Sequence, residues 1–254
     1  MKKLSFLIVL LSINVSANSI LIKSGQINDG LGNSFIGDIL IVDEKIVEVG
    51  KFLNSSSAKI IEAKGKPVTP GLISPISNIG VVEINALDVT NDDSPDFFGP
   101  GFSVFNAFNP HSTLIPWNRS NGVTSSISTP GYSSQIFKGM GSFYLLDGDI
   151  DITGNADVAM YARLGAIGGS RAETIQIMES MFELALNKDE LELEELLGTT
   201  FGSSMDMQLQ DIQALSRVVN REIPLVLEVN RAIDILQALR LKNDYDLELV
   251  LMSV

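Results

Sequence analysis

Between Ile20 and Lys64 the apolar residues come in short runs, ILIKSG, SFIGDILIVDEKIVEVG and AKIIEAKG, cut by Gly, Asn, Asp and Ser. Apolar runs of this length bounded by turn formers read as strands. In DILIVDEKIVEV the alternation continues on both sides of Asp43 and Glu44, which predicts a hairpin turning there although no Gly marks the turn. This first region is a small β unit. After Pro70 apolar strands alternate with helical patterns, which predicts parallel strands joined by crossover helices. The clearest helix opens at Gly168-Gly169-Ser170. Ser170 and Glu173 have the spacing of a capping box, and Ile175, Met178, Phe182 and Ala185 share one face. A second, acidic helical stretch runs from about Lys188 to Leu197. Further on, Leu209, Ile212, Leu215 and Val218 repeat at helical spacing, and Pro224 ends that helix and leads into the strand LVLEV. Ala232 to Lys242 is then helical and LELVLMSV is a second strand. Helix, strand, helix, strand is the wiring of a β/α barrel.

The chain therefore reads as α/β, with an incomplete TIM-like (β/α)8 barrel over 70–254. A closed barrel takes about 200–250 residues, and fewer than that follow Pro70 in this chain of 254. The last apolar strand would stand at an unpaired edge, an association hazard. The expectation is a truncated form of a longer protein.

The opening MKKLSFLIVLLSINVSANS changes the picture of where the protein works. Lys2 and Lys3 precede an apolar run from Leu4 to Val15 and a small-residue exit at Val15, Ser16 and Ala17, the layout of a secretory signal peptide over 1–17. An exported protein, periplasmic or secreted, is expected. The run falls short of the about 20 apolar residues a membrane span needs, so no membrane anchor is expected. With no cysteine in the chain, lipid attachment at the export signal, disulfides and thiol chemistry all drop out. The net charge is -13 before the two leader lysines are lost. Such a surface repels phosphate backbones and anionic lipid, so no nucleic-acid partner is expected.

Two acidic segments have ordinary readings. The loop from Asp88 to Pro110 looks like a long insertion near one end of the barrel, and long loops are either functional or solvated connectors. LDGDIDITG, Leu145 to Gly154, has the alternating carboxylates of a calcium loop, but Ile152 stands where such a loop needs Gly and Val158 where it needs Glu. It reads as a β turn with solvated acids.

Several stretches together resemble the amidohydrolase superfamily, and within it an exported, imidazolonepropionase-like group. They are GDILIVDEKIVEVG followed by EAKGKPVTPGLI, then NPHSTLIPWNRSNGVTS, GGSRAE and IPLVLEVNRAIDILQAL. The resemblance implies that 18–69 is a β-sandwich segment, part of a composite sandwich beside a metal-binding barrel that hydrolyses C-N bonds. It also implies a divalent metal held by His-x-His on the first strand, a Lys or Glu on the fourth, histidines on the fifth and sixth, and an Asp on the eighth. This sequence departs from that pattern. Ile76 and Asn78 stand at the first-strand histidine places, Glu228 at the fifth, and Met252 or Ser253 near the sixth.

The donor inventory sharpens the departure. Zinc takes Cys, His and carboxylate ligands, and the chain has no Cys and the single His111. Glu228 and Asn78 offer two hard oxygens, too few for calcium or magnesium. No metal ligands and no cofactor are predicted. A metal lowers the pKa of bound water from about 15.7 to about 7, which is roughly 12 kcal/mol of help in making hydroxide; another mechanism would need a base and an oxyanion stabiliser instead.

The candidate catalytic residues are Glu228 and His111. Glu228 interrupts an apolar run near the C-terminal end of a barrel strand, where such barrels place their chemistry; its other reading is a structural ion pair with Arg231 or Arg119. His111, between Pro110 and Ser112, is either a proton shuttle or a polar surface group. The candidate substrate-binding residues are Asn78, Arg231 and Arg119, with Asn78 either orienting a carbonyl or capping the turn into Gly80. Two functions follow. One is an amidohydrolase-like hydrolase acting on carbon-nitrogen bonds of a small molecule or peptide; the other is a catalytically inactive binding or interaction protein on the same fold.

Overall fold

The computed structural model describes residues 18–84, 86–165, 170–189 and 207–253. The leader, Gly168, Gly169 and nearly all of the second acidic stretch lie outside these. The chain divides into two compact units, one ending at Pro70 and the other beginning at Gly71.

The first unit is a mixed sheet of β1 (Ser19–Asn28), β2 (Ser34–Val42), β3 (Lys45–Gly50), β4 (Lys59–Glu62) and β5 (Pro67–Val68). The order is β3-β2-β1-β4, with β5 also on β1. The expected hairpin joins β2 to β3, and Asp43 and Glu44 hold φ of 47° and 66°. Two consecutive left-handed residues make the type I′ turn that matches strand twist, which is why two acidic residues suffice where Gly is the usual choice. Asp38 is buried and spends its carboxylate on the backbone N–H groups of Ser24 and Leu53, at 2.8 and 2.9 Å. The described residues of this unit form one sheet; the second layer of the sandwich implied by the resemblance is not among them.

The second unit carries a six-stranded sheet in the order β11-β10-β9-β8-β7-β6. Its strands are β6 (Leu72–Ser77), β7 (Val123–Ser128), β8 (Phe137–Leu145), β9 (Gly154–Arg163), β10 (Leu225–Glu228) and β11 (Leu249–Met252). Among the described residues its α-helices are α1 (Leu114–Ser120), α2 (Arg171–Leu186), α3 (Leu209–Val219) and α4 (Ala232–Asp244). The β9 to β10 and β10 to β11 steps are parallel and carry helices, as the periodicity predicts. The middle of the sheet corrects that prediction, because β8 runs antiparallel to both β7 and β9. Residues 129–136 and 146–153 are too short to hold the dozen-residue crossover that a parallel pair needs. LDGDIDITG is thus largely a strand connection, tightened by the Asp149 N–H donating to the Asp147 side chain at 3.1 Å.

The helices follow their sequence signals closely. Ser170 Oγ accepts from the Glu173 N–H at 3.2 Å and Glu173 Oε2 accepts from the Ser170 N–H at 3.4 Å, the reciprocal cap of α2. Met178, Phe182 and Ala185 are buried on the expected face, with Ile175 packed at its margin. α3 stops at Val219, short of Pro224, and the chain turns through Arg221 at φ 61°. These helices cover the sheet face that presents Met160, Ala162, Leu225 and Leu227, and the result is the main apolar core.

The sheet bends toward its other face. Tyr161 on β9 donates from its hydroxyl to the Pro75 carbonyl on β6 at 3.2 Å. Three strand spacings in a flat sheet amount to about 14 Å, more than a tyrosine side chain spans. Of the two strands between them, β8 makes room: a Cβ on its Gly141 would stand 2.6 Å from the Tyr161 ring. Strands β6 and β11 are the sheet's two edges among the described residues.

A charged cluster at the strand ends as the candidate functional site

On β9 and β10 alternate residues face away from the helices: Tyr161 and Arg163 on one strand, Val226 and Glu228 on the other. The register places Val226 beside Tyr161 and Glu228 beside Arg163, and on the other flank Glu228 beside Met252. Arg163, Glu228 and Met252 therefore form one row at the C-terminal ends of three parallel strands. Behind the row, Ala159, Tyr161 and Val226 form a small apolar cluster with Ile127 and Met252.

Lys138 joins the row through a fault in the ladder. Phe137 pairs with Ala162 and Gly139 with Tyr161, so β8 spends one more residue than β9 over this step. Lys138 is the extra residue of a β-bulge, and Gly139, at φ 122°, takes the conformation that this bend demands. The bulge lets Phe137 and Met140 both enter the helix-side core while Lys138 leaves it.

Three charges meet there. Lys138 Nζ lies 3.1 Å and Arg163 Nε 3.0 Å from the same oxygen, Glu228 Oε2. The Glu228 side chain is 9% exposed, Lys138 12% and Arg163 33%, so the pair with Lys138 is the drier of the two. Burial pushes the Glu228 carboxyl up, and the hydrogen bonds and charges of Arg163 and Lys138 more than reverse it, leaving the group below the ordinary carboxylate range. Tyr161 is pushed up to about 12 by burial, so its phenol stays protonated as a donor to Pro75. Two cations against one carboxylate leave an excess positive charge on this face.

The other candidates are elsewhere. Arg231 makes a two-pronged pair with Asp234 at the start of α4, at 2.9 and 2.7 Å, and Arg171 adds a contact at 3.3 Å. The hydrogen bond from Arg231 and the charges of both arginines hold Asp234 below its usual value against its burial. Arg119 donates to the carbonyls of Leu146 and Asp147. His111 is exposed and donates its backbone N–H to Asn109 Oδ1 at 3.0 Å. Asn78 is exposed just past β6, and its carbonyl accepts from the N–H groups of Val81 and Val82 at 3.1 and 3.0 Å around Gly80, whose φ is 80°. No hydrogen bond or ion pair among the described residues links any of these four to Glu228. The expected ion pair is present, then, but its partners are Lys138 and Arg163 in place of Arg231 or Arg119. The sequence carried a signal for both: Lys138 interrupts the apolar run IFKGMGSFYL, and Arg163 ends the apolar run VAMYAR as Glu228 ends LVLE.

These residues do not fit a hydroxide-making zinc site. The row offers a guanidinium, a thioether and one carboxylate oxygen already shared by two cations, and no group of three or more His, Cys, Asp and Glu among the described residues is placed to hold a metal ion.

No family model matches the chain. A 5-methylthioadenosine/S-adenosylhomocysteine deaminase of Thermococcus onnurineus is 47% identical over 57 residues, 22% of this chain and 13% of that protein. A dihydroorotase of Lactococcus lactis subsp. lactis is 43% identical over 56 residues, again 22% of this chain and 13% of that protein. Among solved structures, an amidohydrolase from Thermotoga maritima MSB8 overlays with a TM-score of 0.72 at 23% identity, over 91% of this chain and 63% of that one. That overlay shows a shared α/β fold. The chain spans less than two thirds of the length of that structure and matches a small part of each curated relative.

Proposed function

We propose that this chain belongs to an exported amidohydrolase-superfamily hydrolase acting on a carbon-nitrogen bond of a small molecule or short peptide. The observation that carries the reading is the overlay on the Thermotoga maritima amidohydrolase. The short matches to a deaminase and a dihydroorotase, both named for C-N chemistry, agree with it. The site adds physical support: charged side chains gather at the C-terminal ends of the parallel strands, the end at which α/β barrels bind their substrates. In this reading the metal-ligand set is degenerate, and Lys138 and Arg163 bind and polarise the substrate. Glu228 holds the two cations in place. As a carboxylate with a lowered pKa it is a weak proton acceptor near neutrality.

One observation favours a second reading, a binding protein on the same fold without turnover. Glu228 is the only carboxylate in the row, and two cations already occupy one of its oxygens. Assay of the full-length protein against dihydroorotate, methylthioadenosine and a set of N-acyl amino acids, with and without added zinc, separates the two. Turnover of a C-N bond that Arg163→Gln reduces supports the hydrolase. Saturable binding with no turnover under either condition overturns it in favour of the binding protein.

A further inference from the structure

From the surplus of cations on this face we infer that Arg163 and Lys138 form a carboxylate subsite, so that the preferred ligand is a carboxylate-bearing amide with an apolar group. The inference rests on the proposed C-N hydrolase reading for the amide, and on the cluster itself for the carboxylate. Arg163 uses Nε on Glu228, and no hydrogen bond or ion pair among the described residues engages its two terminal nitrogens. Those nitrogens form the edge of a planar fork suited to two-pronged carboxylate binding. Lys138 spends one donor on Glu228 and carries three. Both cations converge on a single oxygen, so an incoming carboxylate completes the charge balance without displacing Glu228.

The surroundings set the rest of the ligand. Val226, Met252 and the Tyr161 ring lie on the same face beside the charged row. Tyr161 and Val226 are buried, so the surface open to an apolar group is that of the half-buried Met252, which adapts readily to its shape. The site is also against the trend of the molecule, whose net charge is -13. A positive spot in such a field selects anions locally and does not draw them from a distance.

The probe is N-acetyl-leucine, compared with its neutral carboxamide, N-acetyl-leucinamide, by titration calorimetry on the full-length protein. The acid is expected to bind at least about tenfold more tightly than the carboxamide, the equivalent of one charge-assisted hydrogen bond. Arg163→Gln should abolish that preference. Glu228→Gln, which frees both cations, should strengthen binding of the acid, a gain that a misfolded variant would not show. Equal binding of acid and carboxamide, or no effect of Arg163→Gln in a variant that melts like the parent, overturns the subsite. Release of acetate is followed in parallel. Selective binding without acetate release leaves the subsite standing and counts against the hydrolase, whereas equal hydrolysis of both compounds does the reverse.

Discussion

The two faces of the six-stranded sheet are built from alternating residues of the same strands, yet they obey different rules. On the helix side Met160, Ala162, Leu225 and Leu227 meet Phe182, Ile212 and Leu215 in a dry core that specifies the fold. On the opposite side Tyr161 and Val226 form a thin apolar patch that ends abruptly in Arg163, Glu228 and, through the bulge, Lys138. The first face is redundant: many side chains share the burial, and each choice agrees with the periodicity of its element. The second depends on three charges satisfying one another, where losing one partner exposes the others to an uncompensated cost.

Mutations should reveal that contrast, the largest effect first. Phe182→Ala opens a cavity on the helix side and is expected to cost about 3–5 kcal/mol in denaturant unfolding, whereas Val226→Ala on the other face should cost only about 1–2 kcal/mol. Equal losses would mean that the faces do not differ as described. Glu228→Gln should cost about 1–3 kcal/mol at neutral pH, below the usual figure for breaking a buried pair because water screens the partly exposed Arg163. Its pH dependence gives the sign. The folded carboxyl titrates below its unfolded value of about 4.3, so its contribution is complete above that pH and is lost as pH falls through the folded value. The gap between parent and variant should therefore close below about pH 4; a gap that widens on acidification would contradict the cluster. Gly139→Ala should cost about 1–3 kcal/mol, since its Cβ would stand 2.7 Å from the Phe102 carbonyl at φ 122°. It should also weaken the Lys138 pair, detectable as reduced coupling between Lys138→Met and Glu228→Gln in a double-mutant cycle.

The helix-side face was the legible one. The Ser170 cap, the Phe182 stripe, the β2–β3 turn and the two β-helix-β steps at the C-terminal end all follow from local pattern. What the sequence did not disclose is long-range. The antiparallel β8 follows from connection length, which depends on strand boundaries that periodicity places only loosely. The partners of Glu228 lie 65 and 90 residues away in the chain. Arg231 and Arg119 looked as suitable because nearness in sequence, or in a resemblance, carries no register. The bulge was harder still, because a Lys-Gly pair inside a strand reads as an interruption until the pairing shows where the extra residue goes.

The most direct test of the charged cluster is a 13C NMR titration of the Glu228 carboxyl in the full-length protein. The account predicts a pKa below the ordinary glutamate value of about 4.3, rising when Lys138→Met and Arg163→Gln remove the two cations together. A value above the ordinary one in the parent, unchanged by those substitutions, would mean that Glu228 is an isolated buried acid and that the cluster does not exist.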